Sequence, residues 1–167
     1  MSSRIHIRAP ERSDEKAFLA AVARSRAYHR PWVKAPSTPT QFREWLERLK
    51  QPTHFSLLVI RKDTYEIVGV FNISNIVLGG FLSAYLGYYG FAGHERQGLM
   101  AEGLRAVVNH AFRKLKLHRL EANIQPGNAP SIALAAACGF EKEGFSPRYL
   151  KIGGRWRDHE RWAIRAS

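Results

Sequence analysis

Two strand-to-helix junctions hold the residue types in this sequence that could bind a phosphorylated cofactor and move a proton. The first runs over 87–102 and places Gly98 where helical periodicity begins. The first N–H groups of a helix lack internal acceptors, and the helix dipole adds partial positive charge, so a pyrophosphate can bind there. Gly98 would let the backbone approach that group closely, and Arg96 could add a charged contact. Taken alone, one glycine at a helix start is more typical of a plain loop.

The second junction is Asn128-Ala129-Pro130-Ser131. Asn128 could simply be a helix N-cap, and Ser131 a hydroxyl at the helix start with the same role. Because two such junctions follow one another, separated by one helix and one strand, a shared binding site is favoured over two independent caps.

The periodicity around these junctions predicts the elements that would position them. In chain order these are a strand at Ile5 and Ile7, helices over 14–28 and from a capping box at Thr38, strands over 54–61, 66–76 and 83–89, a helix over 98–115, a strand over 119–124, a helix from Asn128 closed by Gly139, and a hairpin over 140–165. The three adjacent strands with short turns predict an antiparallel meander. We therefore expect an α/β (α+β) fold, a mixed, mostly antiparallel sheet flanked by helices, in a single domain over 1–167.

Hydropathy argues against a membrane protein. No apolar stretch approaches the ~20 residues of a membrane span, and the N-terminus lacks the apolar core of a signal peptide. We expect a cytoplasmic protein with no membrane partner. Cys138 is the only cysteine, which rules out an internal disulfide and argues against a cysteine-built metal site. We expect Cys138 to be a small buried residue and the protein to use no metal.

The net charge of +12 favours polyanionic partners such as nucleotide phosphates, RNA or an acidic surface. The excess is concentrated over 113–119 and in the tail at Arg148, Lys151, Arg155, Arg157, Arg161 and Arg165. A solvated basic face explains these clusters as well as an RNA-facing patch does.

Seven motifs, in order and spacing, resemble the GCN5-related N-acetyltransferase (GNAT) superfamily, and within it the RimJ-type ribosomal-protein-alanine N-acetyltransferases. They are GVFNISN (69–75), LGY (86–88), QGLMAE (97–102), HRLEAN (118–123), PGNAPS (126–131), GFEKEG (139–144), and YL (149–150) with WRDH (156–159). The resemblance extends from about residue 4 to the end of the chain.

The resemblance implies acetyl-CoA as the cosubstrate and a direct acetyl transfer to an amine. The Gly98 loop would cradle the pyrophosphate, and the strand end at 89–91 would splay from the strand at 119–124 to leave a slot for pantetheine. Asn128 would bind the pantetheine arm, and Ser131 would lie near the thioester sulfur and donate a proton to the departing thiolate. The implied cofactor-binding residues are Tyr89, Gly90, Phe91, Arg96, Gln97, Gly98, Leu99, Met100, Ala101, Asn128 and Ser131.

Three positions depart from the family pattern. Glu95 and Arg96 stand where glutamine or arginine and then glycine are usual. An acid is unfavourable beside a pyrophosphate, so we expect Glu95 to point away and Arg96 to compensate. The tyrosine proton donor of many acetyltransferases is replaced by Ala135, which leaves Ser131 as its substitute.

The sequence leaves several classes of acceptor amine as alternatives. An α-amino group, with a pKa of about 7.7–8.0, can react with water as the base, whereas a lysine amine at about 10.4 needs a strong one. The first hypothesis is N-terminal acetylation of a ribosomal protein, with the basic surface contacting RNA or the ribosome. The alternatives are acetylation of a small amine, such as a polyamine or aminoglycoside, and an RNA-binding assembly factor with secondary catalysis.

Several side chains have a structural and a functional interpretation. Glu102, Asp158 and His159 are each a candidate base or a structural polar residue. Trp32 and Tyr88 could form the walls of an acceptor pocket or fill the core. The oligomeric state is expected to be a monomer or a homodimer.

Overall fold

The computed structural model describes residues 3–167; Met1 and Ser2, the start of the segment in which we expect no signal peptide, lie outside the described residues. The helices are α1 (Glu15–Arg24), α2 (Arg26–His29), α3 (Pro39–Arg48), α4 (Leu99–Arg113) and α5 (Ala129–Ala137), with a 3-10 turn at Arg12–Asp14. The strands are β1 (Ile5–Arg8), β2 (Phe55–Arg61), β3 (Ile67–Val77), β4 (Ser83–Gly90), β5 (Arg119–Ile124), β6 (Glu141–Ile152) and β7 (Arg155–Arg165).

The seven strands form one sheet in the order β1-β2-β3-β4-β5-β7-β6. All neighbours are antiparallel except β4 and β5, which are parallel. The predicted mixed, mostly antiparallel sheet flanked by helices is therefore confirmed, including the meander β2–β4 and the hairpin β6–β7. None of the helices in residues 3–167 combines the length and apolar character needed to cross a bilayer.

The pairing between β4 and β5 is short. Only three residue pairs form it, Ser83–Arg119, Ala84–Leu120 and Tyr85–Glu121. Beyond Tyr85, β4 stays paired with β3 as far as Gly90, and β5 stays paired with β7 as far as Ile124. The two strands thus part and leave a gap, which we call the slot. The splay predicted at 89–91 begins earlier, directly after Tyr85.

Each face of the sheet has its own apolar core, as the alternation along β2 shows. Leu57 and Val59 point to the face covered by α4 and α5, whereas Leu58 and Ile60 point to the face covered by α1 and α3. Each fully buried side chain of this size contributes about 1.5–3 kcal/mol. These two cores hold β4 and the first turn of α4 in place.

Close packing fixes α4 against the sheet at Gly103. A Cβ at this position would lie 2.8 Å from Val59 Cγ2 and 3.2 Å from Phe71 Cε2. The helix can approach the strands this closely only because Gly103 has no side chain. The start of α4, where the candidate site lies, is therefore positioned by direct contact with β2 and β3.

The predicted helix over 14–28 is wrong in one respect, because the chain breaks at Ser25 into α1 and α2. Ser25 Oγ donates to the carbonyl of Ala21 at 2.7 Å and accepts the N–H of Ala92 at 2.8 Å. A helix-interior serine that bonds to its own backbone competes with the helical ladder. The break ties α1 to the loop that leads into α4.

The β6–β7 hairpin uses two of the candidate bases as structural groups. Asp158 Oδ1 accepts the N–H of Arg148 at 2.8 Å, and the ring of buried His159 bonds to the carbonyl of Arg157 at 2.9 Å. Both side chains therefore order the hairpin rather than face the slot.

Candidate active site

The α4 N-terminus has the geometry of an anion cradle. Gly98 has a left-handed backbone with φ +75° and stands at the N-cap position of the 15-residue helix. The first helical hydrogen bond runs from Glu102 N–H to the Gly98 carbonyl at 3.1 Å. The N–H groups of 99–101 consequently have no helical acceptor and point toward whatever binds at the helix end.

Glu95 is held by its own loop. Its carboxylate accepts the backbone N–H groups of Gly93 and of His94, the latter at 2.9 Å. Those backbone hydrogen bonds lower the pKa of Glu95, so it is ionised at pH 7. The carboxylate is thereby engaged, although the residue still borders the cavity described below.

Glu102 is bound to the N-terminal segment. Its carboxylate forms an ion pair with the Arg4 guanidinium and accepts the N–H of Arg4 at 3.0 Å. Arg4 Nη2 in turn lies 3.3 Å from the position that a Cβ at Gly98 would occupy. Glu102 therefore fastens Ser3 and Arg4 beside the cradle, which favours the structural interpretation over the base.

A cavity of about 290 Å³ extends from the cradle along β4. It gathers residues from three parts of the chain: the end of α2 with the loop after it, the end of β4 with the loop into the start of α4, and the start of α5. Of the residues singled out in the sequence, it is bordered by Trp32, Tyr88, Tyr89, Gly90, Arg96, Gly98, Leu99, Met100, Ala101, Asn128 and Ser131.

Phe91 and Gln97 lie outside this cavity. Phe91 is 1% exposed and belongs to the core under α1 and α3, while its N–H donates to the carbonyl of Val68 at 2.8 Å. The Gln97 side chain accepts a hydrogen bond from Arg61 Nη1 at 3.2 Å. Any contact of Gln97 with a cofactor would therefore have to use its backbone.

Ser131 and Tyr88 form a hydrogen-bonded pair between α5 and β4. Ser131 Oγ donates to Tyr88 Oη at 3.1 Å, and Tyr88 Oη donates to the Ser131 carbonyl at 2.8 Å. Burial raises the pKa of Tyr88 to about 12, so its hydroxyl stays protonated at pH 7. Tyr88 therefore fixes the Ser131 hydroxyl at the wall of the cavity instead of merely filling the core.

Asn128 and Trp32 border the outer part of the cavity. Asn128 occupies the N-cap position of α5, but its side chain makes no capping hydrogen bond, so the predicted capping role is not realised. Trp32 Cη2 lies 3.2 Å from the Cβ position of Gly127. The indole thus reaches across from the α2–α3 loop to the loop before α5.

The match to protein-family models decides the family. A model described as an acetyltransferase (GNAT) domain matches residues 4–141. The chain belongs to the GNAT family of acetyltransferases.

Relatives of this GNAT chain support the assignment. It is 38% identical over 145 residues to the [ribosomal protein uS5]-alanine N-acetyltransferase of Escherichia coli, covering 82% of this chain and 75% of that protein. It is 36% identical over 125 residues to the probable N-acetyltransferase YjcK of Bacillus subtilis, covering 75% and 67%. Mycobacterium smegmatis RimJ, solved in complex with CoA-disulfide, superimposes with a TM-score of 0.89 at 27% identity, covering 97% of this chain and 82% of that one.

Family membership confirms two predictions: the chain is an N-acetyltransferase, and its cosubstrate is acetyl-CoA. Among residues 3–167, no group of three or more His, Cys, Asp or Glu side chains is placed to hold a metal ion. The roles assigned to individual residues stay predictions.

The GNAT site also includes His29, which the sequence did not single out. Its ring nitrogen Nε2 lies 2.8 Å from the carbonyl oxygen of Gly90, and it packs against Tyr89. Burial lowers the pKa of His29, so the ring is neutral at pH 7. Only its position near the end of a predicted helix was visible in the sequence, and nothing there indicated a contact with β4.

Glu121 is the second residue that the sequence analysis missed. It is 7% exposed and belongs to the last β4–β5 pair, at the inner end of the slot. Arg119, Glu121 and Asn123 alternate with Leu120, Ala122 and Ile124, so the sequence pattern is that of an ordinary polar strand face and gave no signal that Glu121 is buried.

Proposed function

We propose that this enzyme transfers the acetyl group of acetyl-CoA to the N-terminal α-amine, an alanine amine, of a ribosomal protein. The observation that carries the proposal is the 38% identity, over most of both chains, to an enzyme named for that reaction on uS5. Such an acceptor would be met in the cytoplasm, where ribosomal proteins are made.

The cavity supports a direct transfer. With the pyrophosphate on the N–H groups of 99–101, the pantetheine arm would pass Asn128 and enter the slot between β4 and β5. Strand N–H groups that face the slot would then polarise the thioester carbonyl. The Ser131 hydroxyl would lie beside the sulfur.

The reaction then balances without an acyl-enzyme. The neutral amine attacks the thioester carbon, the C–S bond breaks, and the nitrogen loses one proton to water. The thiolate takes the proton of Ser131 Oγ, which is replaced from solvent, so the products are the N-acetyl acceptor and CoA thiol. A thiol with a pKa near ~8.5 is a fair leaving group, so a hydroxyl donor suffices.

The test is intact-mass spectrometry of small-subunit ribosomal proteins incubated with the enzyme and acetyl-CoA. We expect one protein to gain a single acetyl group, located at its N-terminus by fragmentation. Acetylation of spermidine or an aminoglycoside, with every ribosomal protein unchanged, would refute the ribosomal acceptor and favour the small-amine alternative.

A further inference from the structure

A second cavity, of about 510 Å³, lies on the sheet face that α1 and α3 leave uncovered beyond β4. We call it the groove. Its wall includes Phe81, Tyr85, Glu121, Ser146, Tyr149 and Arg161. Phe81 is 58% and Tyr85 40% exposed, so large aromatic side chains stay accessible on this face.

The groove adjoins the inner end of the slot. Tyr85 and Glu121 form the last β4–β5 pair and border the groove, whereas Tyr88, three residues further along β4, borders the slot. A thioester that enters the slot from the cradle would stop at this pair. A second reactant can reach it from the groove without crossing the cofactor.

The one carboxylate in the groove wall is already compensated. Glu121 Oε1 accepts Arg119 Nη2 at 2.9 Å, and Glu121 Oε2 accepts Asn123 Nδ2 at 3.1 Å. Arg119 Nη2 also donates to Glu143 at 2.5 Å. In the part of the chain that the structure describes, the groove wall carries two guanidinium groups, of Arg119 and Arg161, and only this one carboxylate, so a polycation would meet a net positive surface here.

Arg161 has no such partner. The residue is half-buried, and its Nε donates to Ser146 Oγ at 3.1 Å. Within residues 3–167 no carboxylate oxygen lies within 4 Å of its guanidinium nitrogens. Gly144 on β6 leaves room for the guanidinium, because a Cβ there would overlap it. A half-buried cation without a counter-ion favours an anionic ligand.

We infer that the groove admits the acceptor as an N-terminal peptide segment and that Arg161 selects a carboxylate on its second or third residue. The inference rests on the proposed function and specifies its substrate class. The amine would reach the slot beside Glu121, and the acidic side chain would extend over β5 and β7 to the Arg161 guanidinium.

The spacing between strands gives the distance from the Arg161 guanidinium to the slot. Arg161 on β7 pairs with Asn123 on β5, and the slot lies on the other side of β5. The Arg161 guanidinium lies over Gly144 and Ser146 of β6, on the side of β7 away from β5, so two and a half strand spacings separate it from the slot, which is ~12 Å. A side chain one or two residues after the amine spans this distance. A free α-amino acid does not, because its carboxylate is attached to the same carbon as its amine.

The test compares hexapeptides that begin with alanine and differ only in Glu, Gln or Lys at position two or three. We expect kcat/KM for the better Glu peptide to exceed that of its Gln counterpart about tenfold, and Lys to be poorer still. Arg161→Gln should abolish the difference between Glu and Gln, and Arg161→Glu should reverse the order of Glu and Lys.

The matched control is Arg113→Gln, the same charge change at an exposed position in the last turn of α4. It should keep the preference, and both Gln variants should bind acetyl-CoA as the parent enzyme does. Peptides acetylated without charge preference, or a preference unchanged in Arg161→Gln, overturn the role of Arg161 and leave the proposed function standing. Acetylation of spermidine but of no peptide overturns both.

Discussion

At the scale of single residues, the mutual hydrogen bonds of Ser131 and Tyr88 determine which of the two hydroxyls can donate a proton. Tyr88 keeps its own proton because its raised pKa lies far above neutral pH, and it directs that proton to the Ser131 carbonyl. Only the serine hydroxyl is then able to turn toward a thiolate. Tyr88 is in this view a positioning residue.

Ser131→Ala should therefore lower kcat about 100-fold and leave the Kd for acetyl-CoA nearly unchanged, since the pyrophosphate is held elsewhere. Single-turnover kinetics with a saturating peptide acceptor, together with calorimetric titration of acetyl-CoA, measure the two quantities. Ser13→Ala, at an exposed serine in the turn before α1, is the control. An unchanged kcat in Ser131→Ala would remove the serine as acid.

Gly98→Ala should weaken acetyl-CoA binding at least about tenfold. The left-handed backbone costs a non-glycine residue about 1 kcal/mol, and the new methyl group would press on Arg4 Nη2, which lies 3.3 Å from the Cβ position beside the proposed cradle. Gly79→Ala provides the comparison, because it has a similar φ of +73° and open space around its Cβ position. Equal losses of affinity in both variants would attribute the effect to strain and contradict the cradle.

Sequence reasoning reached the residues of the two junctions because each junction is local in the chain. It could not reach His29 or Glu121, whose importance comes from contacts with Gly90 and with the end of the β4–β5 pairing. Such contacts depend on how helices and strands meet, which a single sequence does not record. For the same reason Phe91 looked like part of the slot and lies in a core.

At the scale of elements, periodicity predicted the order and nature of the strands and the main helices, and the caps gave most boundaries. Thr38, for example, accepts the N–H of Gln41 at 3.2 Å, which is one half of the predicted capping box, whereas Gln41 Oε1 accepts the N–H of Ser37 at 2.8 Å instead of that of Thr38. The break at Ser25 was not predicted, because it depends on a hydrogen bond from Ala92, far along the chain. That residues 1–167 form a single domain stays a prediction.

The tight packing of Gly103 on α4 against the sheet yields a stability prediction. Glycine to alanine normally stabilises a helix by about 1 kcal/mol, but Gly103→Ala should lower the free energy of unfolding by about 1–2 kcal/mol. The added methyl would overlap Val59 and Phe71, which are packed in the core under α4 and α5. Urea denaturation measures the change, with Asn109→Ala on the exposed face of α4 as the control. If the Gly103→Ala variant were more stable than the parent, the sheet would have moved to make room for the methyl group, and the prediction would be wrong.

At the scale of the whole molecule, the basic residues that give the net charge of +12 differ in their surroundings. Some basic residues are paired, as Arg119 is with Glu121 and Glu143. Others surround the turn of the β6–β7 hairpin in exposed positions: Arg148, Lys151, Arg155 and Arg157. From the proposed ribosomal acceptor we expect this basic hairpin tip to be drawn to an RNA-rich particle by long-range attraction.

Replacing these four residues by glutamine should raise KM for an acceptor protein within the ribosomal subunit and leave KM for its short N-terminal peptide unchanged. The difference should shrink as salt is added, because exposed charges are screened. Initial rates at two ionic strengths test this. An equal change for particle and peptide would place the hairpin tip at the acceptor site itself.

Because β4 and β5 pair over only three residues, a bound cosubstrate would itself contribute to the sheet. Residues 86–90 and 122–124 each keep one strand edge that faces the slot and no neighbouring strand. A pantetheine arm lying there would complete the sheet as an eighth, non-peptide strand. Backbone amides along both edges should then exchange with deuterium quickly in the empty protein and slowly once CoA is bound, so the fold reaches its final order only when the enzyme is loaded.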